Sequence, residues 1–423
     1  PTRVILRYNE PIGLPFMTTF SSQNRLELDC QQAVADIRMA LLELYASVDA
    51  DPSLPQDVSR RFGLNKNLTW KVGKILQSED GFHAVQHLPG AAGWDILLKT
   101  FQVAGAPTSR VAAVRAALKS FEDFVTLHAG DRAQLELMLD SMGVGNGGNQ
   151  LENSRALAYQ GNSGIWGVLA KVRLTAGYVV PNRDDPTKLD ASLVGGLVGF
   201  RRLRPNVSWP LFRFQTYNDQ GSADSRRREE LDLTKPDGDV PRLLRRFCSP
   251  SLPPFIARPI QSATEYVLPA GPVGNLGAFN CFFGDVTRGA NRFATPGDER
   301  FEFSSTVTLP AETMVFDLFV HRDVWMPESP QVVVYGRPNG GPDLPDQRDE
   351  EHVLPLGEKC IELGGRPPMV TTPLIPRYAE LVNFVSERLG FATSDFRAFR
   401  LTLKYPPMSA TIVLRAPLAP PTA

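Results

Sequence analysis

Pro55-Gln56-Asp57-Val58-Ser59-Arg60-Arg61-Phe62-Gly63-Leu64-Asn65-Lys66-Asn67-Leu68-Thr69-Trp70-Lys71-Val72-Gly73-Lys74-Ile75-Leu76 spells a helix, a sharp corner and a second helix. Val58 and Phe62 lie four apart and share one face of the first helix. Gly63 stands where that helix must stop and reverse, a position that favours left-handed backbone. Leu64 plugs the corner, and Asn65 caps the second helix by accepting backbone N–H bonds. Leu68, Val72 and Ile75 then recur at helical spacing and face inward, which leaves Lys66, Asn67, Lys71 and Lys74 outward. Arg60, Arg61, Lys66, Lys71 and Lys74 are opposed by the single acid Asp57, in a chain whose net charge is only −1. A basic helix presented this way suits the DNA major groove.

The stretch resembles the helix-turn-helix segments of bacterial transcriptional regulators, in which a helix of the type Asp57-Val58-Ser59-Arg60-Arg61-Phe62-Gly63-Leu64 leads into a recognition helix. The likeness covers residues 54–77. It implies that Asn65, Lys66, Asn67 and Trp70 approach base edges and that Lys71 and Lys74 approach phosphate. The chemistry agrees: lysine donates to guanine O6 and N7, and asparagine pairs bidentately with adenine. Arg60, Arg61 and Lys74 suit phosphate, which positions a protein without reading sequence. Trp70 suits an exposed position or a packed one. Two residues depart from the pattern: Leu68, where many such helices carry a small or polar side chain, and Gly73, which costs about 1 kcal/mol relative to alanine inside a helix. The bland alternative is a plain helical hairpin with a solvated charged face.

Outward from this stretch, 423 residues suggest two or three domains. A short strand is expected at Arg3–Tyr8. From Asn24 onward Leu26, Cys30, Val34, Ile37, Leu41 and Tyr45 form one helical stripe, broken at Asp51-Pro52-Ser53. Beyond the corner, turns at Ser78–Gly81 and His87–Gly90 stand where a winged unit would place a hairpin, and no alternating strands occur there. Helix resumes at Ala91 with Trp94, Leu97, Leu98 and Phe101 inward. Pro107 opens the next helix, with Val111, Val114, Leu118, Phe121, Val125 and Leu127 on its apolar face. Gly130 ends it and Asp131 caps a further helix to Met142. Residues 1–142 therefore read as a helical domain.

Gly143-Val144-Gly145-Asn146-Gly147-Gly148-Asn149 reads as a linker, residues 143–150. A helix precedes it and no phosphate-loop spacing is spelled out, so it lacks the context of a nucleotide cradle. Residues 151–250 read as a mixed α/β region: helix at Ser154–Gln160, strand at Gly167–Pro181, a short helix in the small-residue run Asp190–Phe200, strand from Trp209, and an exposed loop at Gly221–Asp239. Residues 251–423 read as β-rich, with strands at Thr264–Leu268, Phe279–Phe283, Phe301–Leu309, Met314–Val320, Gln331–Tyr335, Phe399–Leu403 and Thr411–Arg415. A turn at Pro338-Asn339-Gly340-Gly341 separates two of them, and one helix, Arg377–Leu389, interrupts the series. The expected class is α+β multidomain, ending in an antiparallel sandwich or partly open barrel.

Little in the chain spells enzyme chemistry. Cys30, Cys248, Cys281 and Cys360 lie far apart with no zinc spacing, which suits free thiols in a reducing cytoplasm. His83, His87, His128, His321 and His352 make no HExxH motif; His83 and His87 are four apart, with Pro89 and turns nearby. No cofactor, metal or catalytic residue is expected, and no run of about 18 apolar residues predicts a membrane span. Arg201-Arg202-Leu203-Arg204 and Arg226-Arg227-Arg228 are further basic clusters, the latter beside Glu229-Glu230. The expected function is a DNA-binding transcriptional regulator, not an enzyme. Its partners are double-stranded DNA and a second copy of itself, as a homodimer or higher oligomer, and its C-terminal part senses a small-molecule effector or mediates oligomerisation. The alternative is a self-assembling shell, capsid-like or scaffold subunit, which the proline-rich loops and near-neutral charge would suit.

Overall fold

The computed structural model describes residues 19–78, 80–141, 147–214, 228–234, 240–260, 263–295, 299–336 and 353–420. The expected strand at Arg3–Tyr8, the glycines at 143 and 145, Arg226 and Arg227, most of the 221–239 loop, the Pro338–Gly341 turn and His352 lie outside those residues. The chain is mixed α+β, with a helical N-terminal region and several sheets, and it divides into two compact units, Pro1–Leu151 and Glu152–Ala423.

Within the first unit α1 (Thr19–Ser47) is the central strut. Its stripe Leu26, Cys30, Val34, Ile37, Leu41 and Tyr45 is buried as the spacing predicts. Burying one such aliphatic side chain stabilises a fold by roughly 1.5–3 kcal/mol. Then come α2 (Pro55–Phe62), α3 (Lys66–Gln77), the short α4 (Gly81–Val85), α5 (Ala91–Val103), α6 (Thr108–His128) and α7 (Arg132–Ser141). Tyr45 and Phe62 each pack on Phe101 of α5, with ring centroids 4.9 Å apart in both pairs. Gly130 has φ +86° and Asp131 accepts the Gln134 N–H at 2.8 Å, so α6 ends and α7 begins where glycine and aspartate predict. Leu127 departs from expectation: it is exposed, and Phe124 takes the inward place on α6. Among the described residues this unit holds no strand, so a helix, α4, occupies the place of a wing.

The glycine run does not stay a loop throughout: α8 (Gly147–Trp166) starts within it, and the boundary between the two units falls inside that helix. In the second unit β1 (Val168–Pro181) and β2 (Lys188–Arg202) form a long antiparallel pair. The remaining strands are β3 (Trp209–Phe214), β4 (Arg228–Glu230), β5 (Ile256–Ile260), β6 (Ala263–Leu268), β7 (Phe279–Asn291), β8 (Arg300–Thr306), β9 (Ala311–His321), β10 (Gln331–Tyr335), β11 (Ile361–Leu363), β12 (Phe396–Lys404) and β13 (Thr411–Pro417). They make one sheet of seven, ordered β11-β12-β9-β1-β2-β7-β4, and two of three, β10-β13-β8 and β3-β6-β5.

Three features correct the sequence reading. The run Asp190–Phe200 is strand, not helix: Gly195 and Gly196 lie where an added Cβ would meet the rings of Phe283 and Phe282 at 2.6 and 2.5 Å, so these glycines permit close packing in a sheet. The expected division at residue 250 crosses one sheet, because β1 pairs with β9 and β2 with β7. The β architecture is not wholly antiparallel either, since β1 and β9 run parallel. Its layers do stack: Phe316, Leu318 and Leu401 of the large sheet share a core with Val334, Ile412 and Leu414 of a small one. The alternate residues Val315, Phe319 and Ala398 pack under α9 (Tyr378–Leu389) through Leu381, Val382 and Val385.

Candidate nucleic-acid interface

The corner between α2 and α3 is built by a few local bonds. Pro55 opens α2, where its missing N–H costs nothing. Gly63 adopts φ +66° and ψ 23°, and a Cβ there would meet nothing within 4 Å, so backbone conformation alone asks for glycine. Buried Ser59 clasps the corner: its backbone carbonyl accepts the Leu64 N–H at 3.1 Å, and its hydroxyl donates to the Leu64 carbonyl at 2.7 Å. Leu64 is buried beneath it. Asn65 caps α3 by accepting the Asn67 N–H at 2.8 Å. Arg38 of α1 closes the other end, donating through Nε to the Ile75 carbonyl at 2.8 Å and through Nη2 to the Asp80 carbonyl at 3.2 Å. Gly73 is buried, and a Cβ there would lie 3.3 Å from the Pro52 carbonyl oxygen. Its helix penalty is the consequence of bringing α3 against the residues before α2.

With Leu68, Val72 and Ile75 buried, the outward face of α3 carries Lys66, Asn67, Trp70 and Lys74, with Lys71 half-buried beside them. Trp70 is 46% exposed, which resolves its two possible settings in favour of the surface. The Lys74 Nζ lies 5.8 Å from the Trp70 ring centroid, and His87 meets Trp70 edge-on at 5.6 Å. His87 was not expected here, because it follows α4 and only the fold returns it to α3. Burial lowers its pKa, and Lys74, Lys71 and His83 lower it further, as expected of a neutral imidazole beside several cations. The α3 helix contains no acid, so nothing within it offsets that charge.

The expected site residues are not all equally available. Arg61 donates to the Val48 carbonyl at 3.0 Å and to the Asp49 carbonyl, and its guanidinium lies 4.9 Å from the Phe62 ring centroid. It ties α2 to the end of α1. Arg60 is exposed and 3.6 Å from Asp57. The Asn65 side-chain oxygen is occupied by its cap, leaving its amide nitrogen outward. Lys66, Asn67, Trp70, Lys71 and Lys74 thus form one patch on α3, and the two arginines stand apart on α2.

Elsewhere, one buried acid is fully engaged. Asp317 of β9 accepts from Arg400 Nε and Nη2 at 2.8 and 2.7 Å and from the Tyr378 hydroxyl at 2.6 Å. Burial pushes its carboxyl up, and Arg400 and Tyr378 oppose that shift. Its oxygens are taken up in holding β9, β12 and α9 together. Among the described residues, no three His, Cys, Asp or Glu side chains converge as a metal site, and no helix is long and apolar enough to cross a membrane. No protein-family model matches the chain, and no curated protein matches its sequence.

Proposed function

We propose that the first unit binds double-stranded DNA through the outward face of α3, as a helix-turn-helix, and that the protein is a transcriptional regulator whose second unit senses an effector or joins copies of the chain. The observation that carries this is the patch itself: Lys66, Asn67, Trp70, Lys71 and Lys74 on one outward helix face, with α2 and a left-handed glycine behind it. Asn67 and Lys66 supply the donor and acceptor geometry of base edges, and Lys71 and Lys74 supply phosphate contacts. His87 packs edge-on against Trp70 at the border of this patch. Two recognition helices, one per copy, would read half-sites about 10 base pairs apart.

Selection from a pool of random duplexes tests the base-reading claim. The wild type should enrich paired half-sites, and Asn67→Ala should relax the preference at one position of each half while keeping overall affinity within about tenfold. A pool that emerges unenriched, or enrichment indifferent to Asn67, would contradict it.

A further inference from the structure

Cys248 and Cys281 lie far apart in sequence and meet in the fold. Cys281 lies in β7 and is fully buried; Cys248 follows the turn Arg245–Phe247 and is half-buried. The segment before Cys248 runs antiparallel beside β7. Leu243 bridges Phe283, the Leu244 N–H donates to the Phe282 carbonyl at 2.8 Å, and the Ser249 N–H donates to the Asn280 carbonyl at 2.9 Å. The Asn280 N–H returns a bond to the Ser249 hydroxyl at 2.8 Å. The turn Arg245–Phe247 shifts the register, and beyond it the Ser249–Asn280 bonds set residue 248 beside residue 281. Facing residues of antiparallel strands have Cα atoms about 4.5–5.5 Å apart, within the span of a disulfide. The Cys248 sulfur accepts the Phe282 N–H, next to Cys281 in the chain, at 3.3 Å, and Cys248 packs against the buried cluster that holds Cys281.

We propose that Cys248 and Cys281 form an oxidisable dithiol site whose co-substrate is a hydroperoxide. Cys248 is the reacting thiol because it is the accessible one. Arg245 and Arg246, next to it in the chain, are exposed on the turn. Its sulfur attacks the terminal peroxide oxygen, the O–O bond breaks, and an alcohol or water leaves with the proton; Cys248 becomes a sulfenic acid as the peroxide is reduced. The Cys281 sulfur then attacks the Cys248 sulfur. The S–O bond breaks, and the oxygen leaves as water with the Cys281 proton. A dithiol reductant reverses the step by exchange. The product staples residues 243–249 to β7. Burial pushes the Cys281 thiol up, so it does not compete with Cys248 for the peroxide, and it gives its proton to the departing oxygen as it attacks.

The test uses the reduced full-length chain, treated with hydrogen peroxide, alkylated in denaturant and mapped as unreduced peptides. Two of the four cysteines should become closed to the alkylator, in a linked Cys248–Cys281 peptide that dithiothreitol releases. In Cys281→Ser, dimedone should trap a sulfenic acid at Cys248, and Cys248→Ser should leave Cys281 a free thiol. Should Cys281→Ser fail to fold, the wild-type peptide map decides alone. Full alkylation of Cys248 after treatment would overturn the proposal. So would its conversion to sulfinic acid beside a free Cys281, or its linkage to a different cysteine.

Discussion

Ser59 shows how one side chain fixes the aim of a helix. Its hydroxyl and carbonyl both bond Leu64, so the direction of the chain leaving α2 is held from within the corner. Ser59→Ala should cost about 1–3 kcal/mol, read by urea unfolding of the helical signal, because it leaves the buried Leu64 carbonyl short of a partner. Gly63 is a different case: with open space around it, Gly63→Asn should be tolerated better than Gly63→Val, since asparagine enters left-handed backbone more readily than a branched side chain. His87 carries the pH dependence. Its lowered pKa means that the folded, unbound protein prefers the neutral ring, so this histidine's contribution to stability is full above its unfolded value and is lost as pH falls from there through the folded value. A bound polyanion would offset the repulsion from Lys71, Lys74 and His83, so binding takes up a proton. Affinity for duplex DNA should therefore rise as pH is lowered below neutrality, and His87→Gln should flatten that rise in a binding titration. Gly63, Leu64 and Asn65 were legible in the sequence because turn and cap chemistry is local. Ser59, Arg38 and His87 were not, because a serine, an arginine and a histidine acquire these roles only through partners the fold supplies.

At the scale of elements, helical spacing carried most of the information. The α1 stripe, the inward residues of α5 and the start of β1 were all legible, because each is a periodic pattern within a single segment. The run Asp190–Phe200 failed for a physical reason. Small residues weaken a period-two signal, and here they are small because Phe282 and Phe283 of the neighbouring strand fill the space. Gly196→Val should therefore destabilise the protein by about 1–3 kcal/mol in thermal unfolding, since the Phe282 ring is itself buried and has little room to yield. A substitution there with no loss of stability would mean that β2 does not lie against β7 as described.

At the scale of the whole molecule, two properties escaped the sequence. Strand order did, because the pairing of β1 with β9 joins residues well over a hundred positions apart, and no local pattern encodes that choice. The second is the setting of the α3 lysines, in a chain of net charge −1: the fold brings His87, from another segment, against Trp70 on their face. A local patch on a neutral protein should bind a polyanion through a small, countable number of phosphate contacts. The most direct test is the salt dependence of binding to a labelled duplex, measured by fluorescence anisotropy for the wild type and for Lys66→Ala/Lys71→Ala/Lys74→Ala, with circular dichroism confirming that both are folded. Contact through α3 predicts that log K falls linearly with log salt for the wild type, and that the slope of the triple variant is shallower by about one for each lysine that neutralises a phosphate. Wild-type binding that ignores salt, or a triple variant with the affinity and slope of the wild type, would contradict it.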